Sequence, residues 1–520
     1  MTVYEGTIVT CDAEGSVARY LVEEKGRIAF VGNRLPGAYA AAERTPLGTG
    51  ALCPAFSDTH IHFMSHALFS NGLDVRSAPD IPALADLVRG YAETSRARVL
   101  LGFGASAYGV AERRLVTRAD LDAAAPDRPV FLVKYDGHAA IANGALLSLL
   151  PAALKGVRGY DADAGLLTQD AFFRATDFVT GSVSLPATLS GMLRAVDGLA
   201  ESGIGLIHSA AGVGFPGDLD VTLESLFGRG LRNPLPYRIF FQTMDAEKAK
   251  RRGVPRIGGC FATALDGCFG SADAALHAPY EGDAANAGVL YYPDEAVAAF
   301  ATRANRAGLQ IEMHAIGDRA FDQAADALAA ALADCPRQDH RHAIIHACLP
   351  TERGLETCAR LGIGLAVQPA FIHWNEEPLE YLESILGERA RRLSPLKTIS
   401  RMGIRMTGGS DAPCTRPDPI EGIWAACNHY APGESLEIQE ALNLYTRNAA
   451  WLSFDDAERG SLEAGKAADM VLLDRNPLAM EKRDLRSLAV RGLFLSGRPY
   501  RPGQGRAELL FRGLLSRRGI

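Results

Sequence analysis

Apolar and polar residues alternate in short runs along the first fifty residues, with turn residues between the runs, and this pattern predicts β-strands. The runs are EGTIVTCDAEG, RYLVEEKG and RIAFVG. A similar pattern returns near the other end of the chain, in ADMVLLDRNP and LAVRGLFLSGRPY. The simplest interpretation is a small β-sandwich domain built from both termini, residues 1–52 plus 460–520, with the rest of the chain inserted between them.

Residues 53–459 instead show continuous apolar runs that alternate with stretches of helical spacing, a pattern typical of parallel β/α architecture. The predicted strands are CPAFSDTHIHF, GIGLIHSAAG, YRIFFQT, RIGGCFATALDG, LQIEMHAIGD, HAIIHAC, GIGLAVQP and IRMTGGSDAP. Eight strands is the count of a (β/α)8 TIM barrel, a fold of the α/β class. The interval from His62 to Gly203 is too long for one β/α connection, so we expect an inserted subdomain after strand 1, at about residues 64–200.

Histidines and one aspartate close several of these predicted strands. His60 and His62 stand one residue apart in a strand, where side chains at i and i+2 point the same way. His314, His346 and Asp411 close three other strands. A lone histidine at a strand end is usually structural, but polar groups that converge at the carboxyl ends of barrel strands indicate a metal site.

Composition and charge narrow the class of protein. Of the 520 residues, 48% are hydrophobic and 22% charged, which is ordinary for a globular enzyme. A formal charge of −7 and the lack of a Lys/Arg-rich run argue against a nucleic-acid partner and favour a small-molecule substrate. No signal-peptide pattern and no membrane-spanning apolar run is visible, so we expect a cytoplasmic protein with no membrane partner. Whether it forms a homo-oligomer cannot be read from the sequence.

The motifs PAFSDTHIH, HAIGDRA, RHAIIHA, GGSDAP and GSLEAGKAADMVLLDRNPL, in this order, resemble the amidohydrolase superfamily, specifically its YtcJ-like branch of metal-dependent hydrolases. The segment DGHAAIAN is similar to that branch as well. The resemblance implies that His60 and His62 are the metal ligands of the first strand, and that His314 and His346 are those of strands five and six. It also implies that Asp411 touches the metal and takes a proton from the attacking water.

The function that this resemblance implies is metal-dependent hydrolysis of a non-peptide C–N bond in an amide, formamide or cyclic amide-like small molecule, with Asp411 as proton shuttle. Two alternatives stay open. One is a deaminase of an amino-substituted heterocycle; such enzymes usually carry a Glu shortly after the strand-five histidine, where this chain reads AIGDRA. The other is a metal-free relative without catalytic activity.

The chain departs from the pattern of its relatives at three places. Many relatives hold two metals bridged by a carboxylated lysine on strand four, but RIGGCFATALDGCFGS contains no lysine. We therefore expect one tightly bound divalent metal, most simply zinc, with a Cys260 thiolate bridging two ions as the rival interpretation and a buried structural Cys260 as a further alternative. Ile345 stands where relatives commonly carry Glu, and Phe371 stands where QP-x-H is common.

Substrate contacts are harder to predict, because the pocket walls of such barrels come from loops. Asp136 and His138 of YDGHAA can reach the pocket from the inserted subdomain, although the Asp136 carboxylate would serve a turn equally well. The segment QPAFIHWNEEPLEYL suggests Gln368, Phe371 and Trp374 as further substrate contacts. The substrate itself cannot be read from these residues.

Overall fold

An eight-stranded parallel sheet forms the centre of the computed structural model, which describes residues 1–69 and 72–516. We call its members barrel strands 1 to 8, and they are Phe56–Ile61, Ile204–Ala211, Tyr237–Phe241, Arg256–Ala264, Gln310–Ala315, Ala343–His346, Gly364–Val367 and Met406–Gly408. Each strand pairs with the next strand in sequence. The backbone N–H of Asp411 donates to the carbonyl of His60 at 2.8 Å, so the end of strand 8 meets the end of strand 1 and the barrel is nearly closed. The predicted TIM barrel is confirmed.

Helices cover the outside of this barrel. After barrel strands 2 to 8 they are Leu219–Gly230, Ala246–Arg251, Asp294–Arg306, Asp318–Asp334, Glu352–Leu361, Leu379–Leu386, Leu396–Arg401, Pro419–Cys427, Ile438–Leu444 and Arg447–Leu452. Asp318–Asp334 shows why they form: its apolar residues recur at helical spacing, and Phe321, Ala324, Leu328 and Ala331 are fully buried. The helix is also rich in alanine, the residue with the highest helix propensity.

The segment between barrel strands 1 and 2, where we expected an inserted subdomain, forms a sheet of its own. In hydrogen-bonding order its six strands are Tyr160–Asp161, Leu166–Thr168, Ala139–Ala142, Val130–Lys134, Leu100–Ala105 and Leu73–Asp74. Its helices are Phe63–Phe69, Ile81–Thr94, Arg118–Ala124, Gly144–Leu149, Gln169–Thr180 and Leu185–Glu201. The subdomain has apolar clusters separate from the barrel core, and it brings residues 133–138 and 172–180 to the mouth of the barrel.

The two termini pair with each other. In hydrogen-bonding order the strands are Arg498–Pro499, Val490–Leu495, Met470–Leu473, Glu43–Pro54, Thr2–Val9, Val17–Glu24 and Arg27–Gly32. The prediction specified a sandwich, whereas hydrogen bonds join all seven described strands in one mixed sheet. The boundaries of the domains stay a prediction.

The final helix, Arg506–Leu515, leaves this sheet and packs against the barrel helix Leu219–Gly230. Glu508 on the final helix forms an ion pair with Arg232, just after the barrel helix. The terminal segment, which we assigned wholly to the β domain, therefore also contacts the barrel. Among the described helices, none combines the length and the apolar character that a bilayer crossing requires.

Candidate metal centre

The first half of the site lies where barrel strands 1 and 8 meet. The imidazoles of His60 and His62 are neighbours, with ring centroids 5.3 Å apart, and the Nε2 atom of each lies 3.2 Å from Oδ1 of Asp411. Asp58 holds the two strand ends together, because its Oδ1 accepts hydrogen bonds from the backbone N–H groups of His60 at 3.2 Å and Ser410 at 3.0 Å. All five residues are buried.

The second half lies within barrel strand 4 and at the ends of barrel strands 5 and 6. The Sγ atom of Cys260 is 3.1 Å from Nδ1 of His314 and 3.5 Å from Nε2 of His346. The two imidazoles lie close together, with ring centroids 4.5 Å apart. Cys260 is thus not packed only among apolar side chains, as a purely structural cysteine would be, but faces two of the predicted ligands.

Cys260 belongs to both halves. The candidate ligand atoms of His60, His62, Cys260 and Asp411 all lie within 4.8 Å of one another, and those of Cys260, His314 and His346 meet the same limit. The site is therefore two groups of potential ligands joined through one sulfur atom.

Two buried atoms of the site support the interpretation as a metal centre. Nε2 of His60 and Oδ1 of Asp411 lie 3.2 Å apart without a well-directed hydrogen bond between them, and neither has another hydrogen-bond partner among the residues that the structure describes. A buried polar atom without a partner is costly, whereas a cation between these atoms would satisfy both of them. Imidazole nitrogen, thiolate and carboxylate together form a ligand set that suits zinc.

Gln368 orients one of the imidazoles. Its Oε1 lies 2.6 Å from Nδ1 of His346, and its Nε2 donates to the carbonyl of Ala366 at 3.1 Å. We predicted Gln368 as a substrate contact, but the structure places it behind His346, outside the pocket wall. It supplies the hydrogen-bond acceptor that Ile345 cannot provide, and with Nδ1 so engaged, Nε2 of His346 is left to face Cys260.

His314 is oriented in a similar way. Its Nε2 lies 3.3 Å from the carbonyl oxygen of Gly267 and 3.4 Å from Oδ1 of Asp266. Asp266 is fully buried and accepts hydrogen bonds from the backbone N–H groups of Ile316 and Gly317, at 3.0 and 2.8 Å. These contacts fix the ring with Nδ1 turned toward the sulfur.

The other predicted substrate contacts, Asp136, His138, Phe371 and Trp374, line the pocket above the metal centre. Asp136 also serves the alternative role that we considered, since it accepts a hydrogen bond from the backbone N–H of His138 at 3.1 Å, as in a turn. Its carboxylate forms a buried ion pair with Lys134 at 2.7 Å.

Sequence reasoning missed most residues of the pocket wall, among them Phe261, Phe173 and Glu377. Phe261 follows Cys260 directly and could have been inferred from that position. Phe173 comes from the inserted helix Gln169–Thr180, and Glu377, whose Oε1 accepts a hydrogen bond from the Tyr135 hydroxyl at 3.0 Å, comes from the loop after barrel strand 7. The sequence carries no local signal for the last two, because only the tertiary structure brings them to the site.

A nearly closed parallel barrel with histidine, aspartate and cysteine side chains gathered as candidate metal ligands near its strand ends is the architecture of a metal-dependent hydrolase. Comparison with known families agrees. Residues 47–500 match the model described as the amidohydrolase family, and the chain belongs to that family.

Individual relatives cover nearly the whole chain. YtcJ of Bacillus subtilis (strain 168), a provisionally named amidohydrolase, is 27% identical over 95% of this chain and 97% of its own length. The N-substituted formamide deformylase of Arthrobacter pascens is 26% identical over 96% of this chain and 97% of its own. Among solved structures, an uncharacterized metal-dependent hydrolase from Pyrococcus furiosus matches with a TM-score of 0.73 and 26% identity, over 92% of this chain and 99% of that one.

Proposed function

We propose that the protein hydrolyses a C–N bond of an amide, formamide or cyclic amide-like small molecule. The family and the similarity to a formamide deformylase support this reaction class. The unpartnered atoms of His60 and Asp411 speak against a metal-free relative. The residues after His314 still lack the Glu that is usual in deaminases.

The observation that carries the proposal is the position of Cys260 between two groups of ligands. We therefore propose two Zn²⁺ ions with the Cys260 thiolate as the bridging ligand, in place of the single ion that we expected from the sequence. His60, His62 and Asp411 would hold one ion, and His314 and His346 the other. When bound, the ions would polarise the substrate carbonyl and make a water molecule acidic enough to attack it at neutral pH.

Asp411 is the residue best placed to move the proton. Burial alone would raise the pKa of its carboxyl, but the adjacent imidazoles of His60 and His62 outweigh burial and hold the pKa below its ordinary value. Asp411 is therefore ionised at neutral pH. It can accept a proton from the attacking water and deliver it to the leaving nitrogen.

The test is turnover by the zinc-loaded protein on a panel of formamides, amides, lactams and amino-substituted heterocycles. Asp411→Asn should lower kcat by about a hundredfold or more, because the general base is lost. His60→Ala should lose metal and activity together. His373→Gln is the matched control, because His373 lies outside both ligand groups and contacts the carbonyl of Asn428 at 2.7 Å.

Full activity of both site variants without bound metal would refute the proposal. Release of ammonia from the heterocycles, with no cleavage of any amide, would favour the deaminase instead.

A further inference from the structure

One wall of the pocket is a stack of rings that begins at a metal ligand. Phe371 lies nearly parallel to the imidazole of His346, with centroids 6.1 Å apart and an interplanar angle of 15°. Trp374 stacks on Phe371 at 4.6 Å and 8°. Both aromatic residues are partly exposed and line the pocket. The stack provides a surface on which a flat ring can lie beside the metal centre.

A second series of rings begins at His62. Phe261 lies 4.8 Å from the imidazole of His62, and Phe173 of the inserted subdomain meets Phe261 edge-on at 5.6 Å. Phe172 continues the series, 5.4 Å from Phe173. In total, nine residues that line the pocket carry a Phe or Trp ring. The space beside the metal ligands is thus built mainly from aromatic surface.

The carboxyl groups in the wall of the pocket already have polar partners within the protein. None of the described lining residues is a lysine or an arginine. The two carboxyl groups above the metal centre have partners of their own, since Asp136 pairs with Lys134 at 2.7 Å and Glu377 accepts a hydrogen bond from Tyr135 at 3.0 Å. A substrate carboxylate placed among these groups would lose its hydration without gaining a cation, which is strongly unfavourable.

We infer that the pocket selects uncharged substrates that carry an aromatic ring on the part of the molecule outside the scissile bond, and that it rejects substrates with a carboxylate there. This inference rests on the proposed C–N hydrolysis and adds the substrate class to it. Phe371 and Trp374 are the specificity-determining residues, since they offer the ring a stacking surface next to a metal ligand.

A pair of compounds that differ by one carboxylate tests the inference directly. N-formyl-2-phenylethylamine and N-formylphenylalanine share the scissile bond and the ring, and N-formylethylamine keeps the bond without the ring. For the full zinc-loaded chain, we expect kcat/KM for N-formyl-2-phenylethylamine to be about a hundredfold higher than for either other compound. N-formylethylamine lacks the ring and buries less apolar surface, and N-formylphenylalanine brings an unpaired charge into the pocket. Binding of all three is measured in parallel by calorimetry.

Two variants probe the residues concerned. Trp374→Leu should reduce the preference for N-formyl-2-phenylethylamine over N-formylethylamine by about tenfold, since a stacking surface is lost. Trp424→Leu is the matched control, because Trp424 lies outside the pocket and its Nε1 donates to the carbonyl of Arg483. Thr176→Arg places a cation in the wall and should increase the relative use of N-formylphenylalanine.

Equal kcat/KM for N-formyl-2-phenylethylamine and N-formylphenylalanine, or a higher value for N-formylphenylalanine, would overturn the inference while leaving the proposed C–N hydrolysis intact. If no compound of the wider amide panel is cleaved, the proposed function fails. The inference is then judged by calorimetry alone: it stands if N-formyl-2-phenylethylamine binds at least tenfold more tightly than N-formylphenylalanine, and falls if the two bind equally or not at all.

Discussion

The Cys260 thiol is the side chain whose chemistry departs most from expectation. Burial alone would raise its pKa, but the neighbouring imidazoles, above all that of His314, outweigh burial and hold the pKa of Cys260 well below its ordinary value. The thiolate is also the form in which cysteine binds metals. The Cys260 thiolate can therefore supply the anionic ligand between two ions that a carboxylated lysine supplies in many relatives.

Gln368 offers a test at the same scale that leaves every ligand in place. Gln368→Leu removes the acceptor at 2.6 Å from Nδ1 of His346, so the imidazole loses its fixed orientation. We expect the affinity for the ion that His314 and His346 would hold to fall by about 10-fold to 100-fold, as for other partners of ligating histidines. Competition with a zinc chelator measures this affinity. Gln368→Glu keeps a hydrogen-bond acceptor and should retain most of the zinc affinity. Equal zinc affinities in Gln368→Leu and wild type would contradict the assigned role.

At the scale of elements, the docking of the final helix depends on close approach of two backbones. Gly230 ends the helix Leu219–Gly230, and a Cβ atom at this position would lie 2.4 Å from the carbonyl oxygen of Leu509 in the helix Arg506–Leu515. Gly513 makes the reciprocal approach, and its Cβ would lie 2.7 Å from the carbonyl of Leu226. Since the obstructing atoms belong to the backbone, a side chain can be accommodated only if the helices separate.

Gly230→Ala should therefore lower the Tm, whereas Gly198→Ala, in the helix Leu185–Glu201 with no heavy atom within 4 Å of the added Cβ, should raise it slightly. In a helix, replacing glycine with alanine ordinarily raises the free energy of unfolding by roughly 0.5–1 kcal/mol. A lower Tm for Gly230→Ala would therefore come from the clash with the final helix. Calorimetric melting of both variants checks this. A higher Tm for Gly230→Ala than for wild type would show that the final helix is not tightly docked.

The elements themselves were largely predictable. Apolar runs ended by His60, His314, His346 and Asp411 marked barrel strands, because a buried strand that ends in a polar side chain at a barrel mouth leaves a local signature. The orienting role of Gln368 left no such signature, and a bridging Cys260 could be raised from its place on strand four only as an alternative. Each depends on distances between side chains from different strands, which alternating polarity does not encode.

At the scale of the whole molecule, a buried carboxyl group outside both groups of candidate ligands makes the stability of the protein depend on pH. Glu224 is fully buried on the helix Leu219–Gly230. Burial, and then the nearby Asp220 carboxylate, raise the pKa of Glu224 to about 8, while Ser209 and Tyr237 offset only part of this. The folded protein thus keeps a proton on Glu224 that the unfolded chain releases at about pH 4.

Between about pH 4 and pH 8 the folded state binds more protons than the unfolded state, so this group makes the free energy of unfolding fall as pH rises through that window. Glu224→Gln does not titrate. Its Tm relative to wild type should therefore increase from pH 5 to pH 8, by an amount equivalent to a few kcal/mol at about 1.4 kcal/mol per pKa unit. Glu356→Gln, at an exposed position, is the control. A Tm difference that is constant with pH would contradict a raised pKa.

The central claim, two ions joined by Cys260, is tested most directly by elemental analysis of the purified protein. Wild type should contain close to two equivalents of zinc per chain, and Cys260→Ala should fall to one or fewer. Cys358→Ala, which removes a fully buried cysteine outside both ligand groups, should keep two. One equivalent in wild type, or two equivalents retained in Cys260→Ala, would contradict the bridging thiolate.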